Sequence, residues 1–165
     1  MRRNRWLPPL ILALSLAPSG LILPQASPTC DCARITTEEA FAQSSLVFAA
    51  TVVAGVEPSV EDQVRAHGSP SANFSADMIR WALVPVASWK GEVRDTLLVY
   101  SPRYGASCGY GFQVGEAYIV FARAWPGGPA FPAHTTNLCS HTRPLTSAWA
   151  DVMDLGAPLW ERTEQ

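Results

Sequence analysis

Positive charge is scarce in this sequence. Its 165 residues include 12 basic and 14 acidic side chains, and Arg2, Arg3 and Arg5 lie at the extreme N-terminus. Without those three residues, nine basic side chains face 14 acidic ones, which gives a net charge of −5. Because nucleic-acid-binding domains neutralise phosphates with lysine and arginine, this balance argues against a nucleic acid partner.

Sequence patterns for hydrolytic and nucleotide chemistry are also missing. There is no Gly-x-Ser-x-Gly pattern of a serine hydrolase, and the sequence suggests no acidic partner for His134 or His141. We expect these histidines to satisfy loop hydrogen bonds. The glycines of "CGYGFQVGE" are not followed by the lysine of a phosphate-binding loop. We therefore predict a protein that is not an enzyme and has no cofactor.

The first 26 residues have the order of a secretory signal peptide. Arginines come first, an apolar stretch follows from Trp6 to Leu23, and small and polar residues come last. An uncleaved membrane anchor is the alternative, although three prolines interrupt a segment barely long enough to span. We predict cleavage near Ala26 and one domain over residues 27–165, secreted or extracytoplasmic, in the periplasm or at the cell surface. Membrane contact is expected only if the leader is uncleaved.

Cysteine usage fits an exported protein. In an oxidising compartment, Cys30, Cys32, Cys108 and Cys139 should form two disulfides. A local Cys30–Cys32 bridge would close a very small ring with poor geometry, so both remaining connectivities tie the N-terminal segment to two distant points. The Cys-x-Cys spacing differs from the Cys-x-x-Cys of thiol oxidoreductases. His141 adds an imidazole near Cys139, but the spacings are not those of zinc sites, so we expect no metal site of the protein's own.

Two helices are predicted, one near each end of the domain. Thr36 and Glu39 form a capping-box pattern, which predicts a short helix near residues 37–43. The second helix is predicted over residues 144–155, with Pro144 at its start and Gly156 as its stop. Its apolar residues at helical spacing are Leu145, Trp149, Val152 and Leu155.

Between the helices the sequence predicts five strands. Their segments are residues 45–56, 78–91, 95–102, 116–125 and, more weakly, 129–136. Pro85 cannot donate to a strand ladder, so we expect the second strand to lie at an edge or to carry a bulge. Five short strands with a helix at each end favour a mainly β, small closed antiparallel barrel over a parallel sheet, which would need helices between its strands.

Several segments together resemble bacterial secreted relatives of the tissue inhibitor of metalloproteinases family. They are the Cys-Asp-Cys at residues 30–32, "SSLVFAATV", "SWKGEV", "SCGYGFQVGEAYIVFA" and "NLCSHTRPL". The resemblance runs from Cys30 to about Gly156. It implies a five-stranded, netrin-like OB-fold barrel, with Cys30 bonded to Cys108 and Cys32 bonded to Cys139.

The resemblance also implies a function and its residues. In the animal inhibitors the mature chain begins at the first cysteine, whose α-amine and carbonyl bind the zinc of the target protease. The next side chain enters the specificity pocket of that protease. For this chain the resemblance implies that Cys30 contacts the target zinc and Asp31 enters the pocket. Ala33, Ser107 and Gly109 would complete the contact surface, and the partner would be a secreted zinc metalloprotease.

A second function stays open on the same residues. Cleavage near Ala26 would leave three residues ahead of Cys30, and these would block the α-amine that chelates zinc. Asp31 carries a charge where such specificity pockets are usually apolar, and burying an unpaired charge costs several kcal/mol. The alternative is therefore an extracytoplasmic netrin-like interaction module that binds another protein and inhibits no protease.

Overall fold

The structure is a computed structural model of the chain. It describes residues 30–57, 59, 61, 78–103, 108–124 and 134–163. The predicted signal peptide at residues 1–26 and the predicted contact residue Ser107 lie outside these residues. Within the described ranges, no helix is long and apolar enough to cross a membrane.

The first helix, α1, spans Thr37–Gln43. Its capping box is complete, because the Glu39 N–H donates to the Thr36 hydroxyl over 3.2 Å and the Thr36 N–H donates to the Glu39 carboxylate over 2.8 Å. The helix ends at Ser44, whose hydroxyl donates to the Ala40 carbonyl. The predicted helix near residues 37–43 is confirmed.

The strands close into a five-stranded barrel with two short additions. They are β1 Leu46–Val56, β2 Met78–Lys90, β3 Leu97–Pro102, β4 Ala117–Ala124, β5 His134–Thr135, β6 Arg143–Pro144 and β7 Trp160–Glu161. The ring runs β1-β2-β3-β5-β4 and closes where β4 pairs with β1. All of its pairings are antiparallel except β3 with β5. The mainly β, OB-fold-like barrel is thus confirmed.

Residues 46–52 of strand β1 are largely buried on both faces, which explains the continuous apolar sequence there. Alternate residues from Leu46 to Val52 point into the barrel interior, where they meet Val120 of β4. The intervening Val47 and Ala49 lie in a second core under the helices, beside Phe121. A strand that is packed between two apolar layers has apolar side chains on both faces, so its sequence does not alternate between apolar and polar residues.

Pro85 lies at a bulge, as predicted. The β1 residues Ala49 and Ala50 pair with Ala87 and Pro85, so one β2 residue is skipped in the register. On the other side of β2, β3 pairs only up to Leu83, and β7 pairs with residues 87–88. The proline therefore lies in a gap where no ladder donor is required.

The second helix, α2, spans Trp149–Leu155 and begins later than the predicted residue 144. Pro144 instead pairs with Tyr118 in the β4–β6 ladder. A single 3-10 turn, Leu145–Ser147, then leads into the helix. Gly156 ends it with a φ of 71°, which confirms the predicted stop.

One apolar residue of the second helix differs from expectation. Leu145, Val152 and Leu155 pack on the core under the helices, but Trp149 points outward and is 74% exposed. The predicted strand over residues 129–136 is present as His134–Thr135, and its residues 129–133 lie outside the described part of the chain.

Candidate functional site

Two disulfides hold the N-terminal segment of the domain. Cys30 is bonded to Cys108 and Cys32 to Cys139, with Cα atoms 5.5 and 5.1 Å apart. These are the pairs that the resemblance implies. Residues 30–36 belong to no helix or strand, so covalent bonds and not a backbone ladder fix this segment.

The two loops that receive the disulfides are themselves connected. The Leu138 N–H donates to the Cys108 carbonyl over 3.0 Å. Within the second loop, the Asn137 side-chain oxygen accepts from the Cys139 N–H and from the Ser140 hydroxyl, each over 2.9 Å. Both disulfides are therefore attached to loops that are hydrogen-bonded to each other.

The Cys108 loop depends on an unusual backbone path. Cys108 has a φ of 56°, and Gly109 lies so close to the end of β3 that an added Cβ would overlap the Pro102 carbonyl. The Tyr110 N–H then donates to the Ser101 hydroxyl over 2.7 Å. A glycine at position 109 is thus required for the loop to reach Cys30.

Exposure separates the predicted contact residues. Asp31 and Ala33 are exposed, Cys30 is half-buried and Gly109 is buried. Arg34, which was not among the predicted residues, is exposed as well. Gly109 therefore supports the loop from below, and its part in the contact surface stays a prediction. We refer to residues 30–34 as the N-terminal ridge.

A buried carboxylate lies behind the ridge and was not foreseen from the sequence. Asp151 of α2 is 4% exposed. It accepts hydrogen bonds from the Thr37 hydroxyl over 2.7 Å and from Nε2 of His141 over 2.8 Å, and Nε of Arg143 lies 3.3 Å from its second oxygen. We call these four residues the Asp151 cluster. It joins both helices to the loop that carries Cys139.

His141 is enclosed by polar and aromatic partners. Its Nε2 lies 2.8 Å from the Asp151 carboxylate, and Nη2 of Arg143 lies 3.1 Å from Nδ1 and 3.0 Å from Nε2. The ring also packs edge-on against Phe121 at 5.3 Å between centroids. Each polar atom of the imidazole is therefore occupied, and the cluster is a fixed structural unit.

Burial shifts the pKa of two titratable groups, Tyr110 and His134. It raises the pKa of Tyr110 from 10.0 to about 12, with a smaller contribution from Tyr118. Burial also lowers the pKa of His134 below its ordinary value of 6.5. Tyr110 packs against Phe112 inside the barrel, with 4.7 Å between ring centroids. These shifts therefore report packing, and neither group lies on the ridge.

A cleft of about 580 Å³ lies beside the ridge. Its lining residues include Ala33 and Arg34 of the ridge and His141 and Arg143 of the segment that follows Cys139. In the part of the chain that the structure describes, no three side chains of His, Cys, Asp or Glu form a group that could hold a metal ion. The cysteines are all in disulfides. The surface features of this region are thus the ridge and the cleft.

Comparison with known proteins adds no family to this geometry. No protein-family model matches the chain, and no curated protein sequence matches it.

Proposed function

We propose that this chain is an extracytoplasmic binding domain that inhibits a secreted zinc metalloprotease with its N-terminal ridge. The observation that carries the proposal is the pair of disulfides at Cys30 and Cys32, with Asp31 and Ala33 exposed beside them. A segment fixed at two points within three residues loses little freedom on binding. Because the backbone of this segment is already ordered, binding does not incur the cost of ordering a loop.

The proposed contact follows the order of the ridge residues. The α-amine and carbonyl of Cys30 would bind the zinc of the target, and the Asp31 side chain would enter the adjacent pocket. The Cys30–Cys108 bridge holds the first of these residues against a loop whose path is set by Gly109 and Pro102. This arrangement requires processing to end at Cys30, so that the amine is free.

The first experiment compares two N-termini. A domain that begins at Cys30 is titrated against purified zinc proteases of the collagenase and thermolysin types, and the matched control carries one alanine ahead of Cys30. We expect stoichiometric inhibition that the extra alanine abolishes. Inhibition by both forms would refute zinc binding through the amine. Inhibition by neither form would favour the interaction module without inhibitory activity.

A second experiment tests the pocket residue. Because specificity pockets of this kind are usually apolar, Asp31→Val should tighten inhibition about tenfold or more by removing a buried charge. Asp95→Val, in the exposed connection between β2 and β3, is the matched control and should leave inhibition unchanged. Weaker inhibition by Asp31→Val would show that the partner presents a cation to this side chain.

A further inference from the structure

We propose that the cleft beside the ridge binds an aspartate or glutamate side chain of the partner protein. The inference deepens the proposed function, since it rests on the ridge being the surface that meets a partner. It names the chemistry of the partner residue that lies next to the ridge. We call the site the cationic cleft.

The residues that line the cationic cleft carry positive charge, whereas the chain as a whole is acidic. Arg34 and Arg143 line it, and no described aspartate or glutamate does, although the whole chain carries a net charge of −2. Arg34 is exposed and forms no ion pair or hydrogen bond with the described residues. By contrast, Arg94 has a carboxylate partner in Glu92. A full positive charge on the ridge is therefore available to a ligand.

Arg143 is held so that part of its guanidinium stays available. Its Nε lies 3.3 Å from the Asp151 carboxylate, and its Nη2 lies 3.0 and 3.1 Å from the two ring nitrogens of His141. Nη1 has no partner among the described residues, and the side chain is 37% exposed. A guanidinium fixed along one edge is pre-organised to donate charge-assisted hydrogen bonds from the other.

The charge of the site selects a carboxylate over a phosphate. The two arginines in the lining carry two positive charges, Asp151 compensates one of them, and Asp31 is not among the lining residues. About one positive charge is left, which matches a singly charged carboxylate better than a doubly charged phosphate. Ile35 and Leu138 also line the cleft, so apolar residues next to the acidic residue of the partner can pack there.

The test measures binding of short peptides to the domain that carries one alanine ahead of Cys30. The probes are a fluorescein-labelled 12-residue peptide with four glutamates, its glutamine counterpart and its phosphoserine counterpart, followed by anisotropy at low and physiological salt. We expect the glutamate peptide to bind about tenfold or more tightly than the glutamine peptide, and the preference to weaken with salt. Equal binding of these two peptides would overturn the proposal, and tightest binding of the phosphoserine peptide would identify a phosphate site instead.

Variants locate the interaction. Arg34→Gln should weaken binding of the glutamate peptide about three- to fivefold without loss of folding, because Arg34 has no internal partner. Arg94→Gln, an exposed arginine outside the cleft, is the matched control and should have no effect. Equal losses in the two variants would overturn the proposal. Arg143→Gln should abolish the glutamate preference, with thermal unfolding recorded in parallel because Asp151 loses a partner.

The two proposals can fail separately. Peptide binding is measured on the domain with one alanine ahead of Cys30, the form in which zinc binding by the amine is blocked. Glutamate-selective binding without inhibition by any form would retain the cationic cleft and reject the inhibitor. Inhibition by the Cys30-initiated form without glutamate selectivity would retain the inhibitor and reject the cleft. Nuclear magnetic resonance shifts at Ala33 and Leu138 on peptide addition would localise the contact.

Discussion

Removal of the disulfides singly and together should show that they stabilise the domain as a coupled pair. Taken alone, Cys30–Cys108 spans 78 residues and Cys32–Cys139 spans 107. Their N-terminal anchors, however, are two residues apart. With one bridge intact, the second therefore constrains only the short path through that bridge, which contains about 33 residues of chain.

The chain-entropy relation converts these lengths into stability. A loop of about 33 residues corresponds to about 3.7 kcal/mol, so each single removal should lower the free energy of unfolding by that amount. When both bridges are removed, the second removal releases a loop of the full span, and the total loss becomes about 8.4 kcal/mol. The double removal should thus exceed the sum of the single removals by about 1 kcal/mol.

The assay is urea unfolding at 25 °C of the parent, Cys30→Ala/Cys108→Ala, Cys32→Ala/Cys139→Ala and the fourfold variant. Tryptophan fluorescence and circular dichroism report the transition, and trimethylamine N-oxide restores folding where the fourfold variant is unfolded in buffer. A fourfold variant whose loss equals or falls below the sum of the two pairs would refute the shared-anchor reasoning.

Four further perturbations test the packing of the domain. Gly109→Ala should cost about 3 kcal/mol or more in urea unfolding, because the new Cβ overlaps the Pro102 carbonyl; a loss below about 1 kcal/mol would contradict this. Asp151→Ala should cost about 3–5 kcal/mol, since the buried donors around it lose their acceptor, and Asp151→Asn should cost less because it keeps an acceptor oxygen. Burial lowers the folded-state pKa of His134, so the unfolded state takes up a proton first as the pH falls below 6.5 and stability decreases from pH 7 to pH 5. His134→Gln should flatten that profile in thermal scans, and an unchanged slope would contradict the assignment. Burial raises the pKa of Tyr110 to about 12, so its share of stability is present below pH 10 and lost between pH 10 and 12, a loss that Tyr110→Phe should remove.

Local patterns in the sequence predict much of the barrel. The capping box of α1 involves residues three apart, so the sequence contains all the information needed to place it. Pro85 predicts an irregularity because a missing N–H is a property of one residue. The start of α2 is different: Pro144 suits the first turn of a helix, but pairing with Tyr118 places it in a ladder. That choice depends on β4, and no local pattern reports it.

The candidate site is predictable only in part for the same reason. The cysteines identify the crosslinked segment, since a thiol in an oxidised domain has few roles. The pairing of Asp151 with His141 depends instead on how α2 folds back toward α1. An aspartate in the first turn of a helix is favoured by the helix dipole alone, so its position gives no sign of a buried partner. The exposure of Trp149 likewise becomes visible only when the helix is placed on the barrel.

The seam that closes the barrel sets the order in which this chain can fold. Strand β1 completes its pairing only when Leu46 meets Ala122 and Thr51 meets Ala117. A chain synthesised from its N-terminus therefore carries a strand with two apolar faces and an unpaired edge until β4 has emerged. Such long-range closure is slow, and the open strand is prone to aggregation in the meantime. Delivery of β1 to its late partner is thus the step at which a chaperone would act.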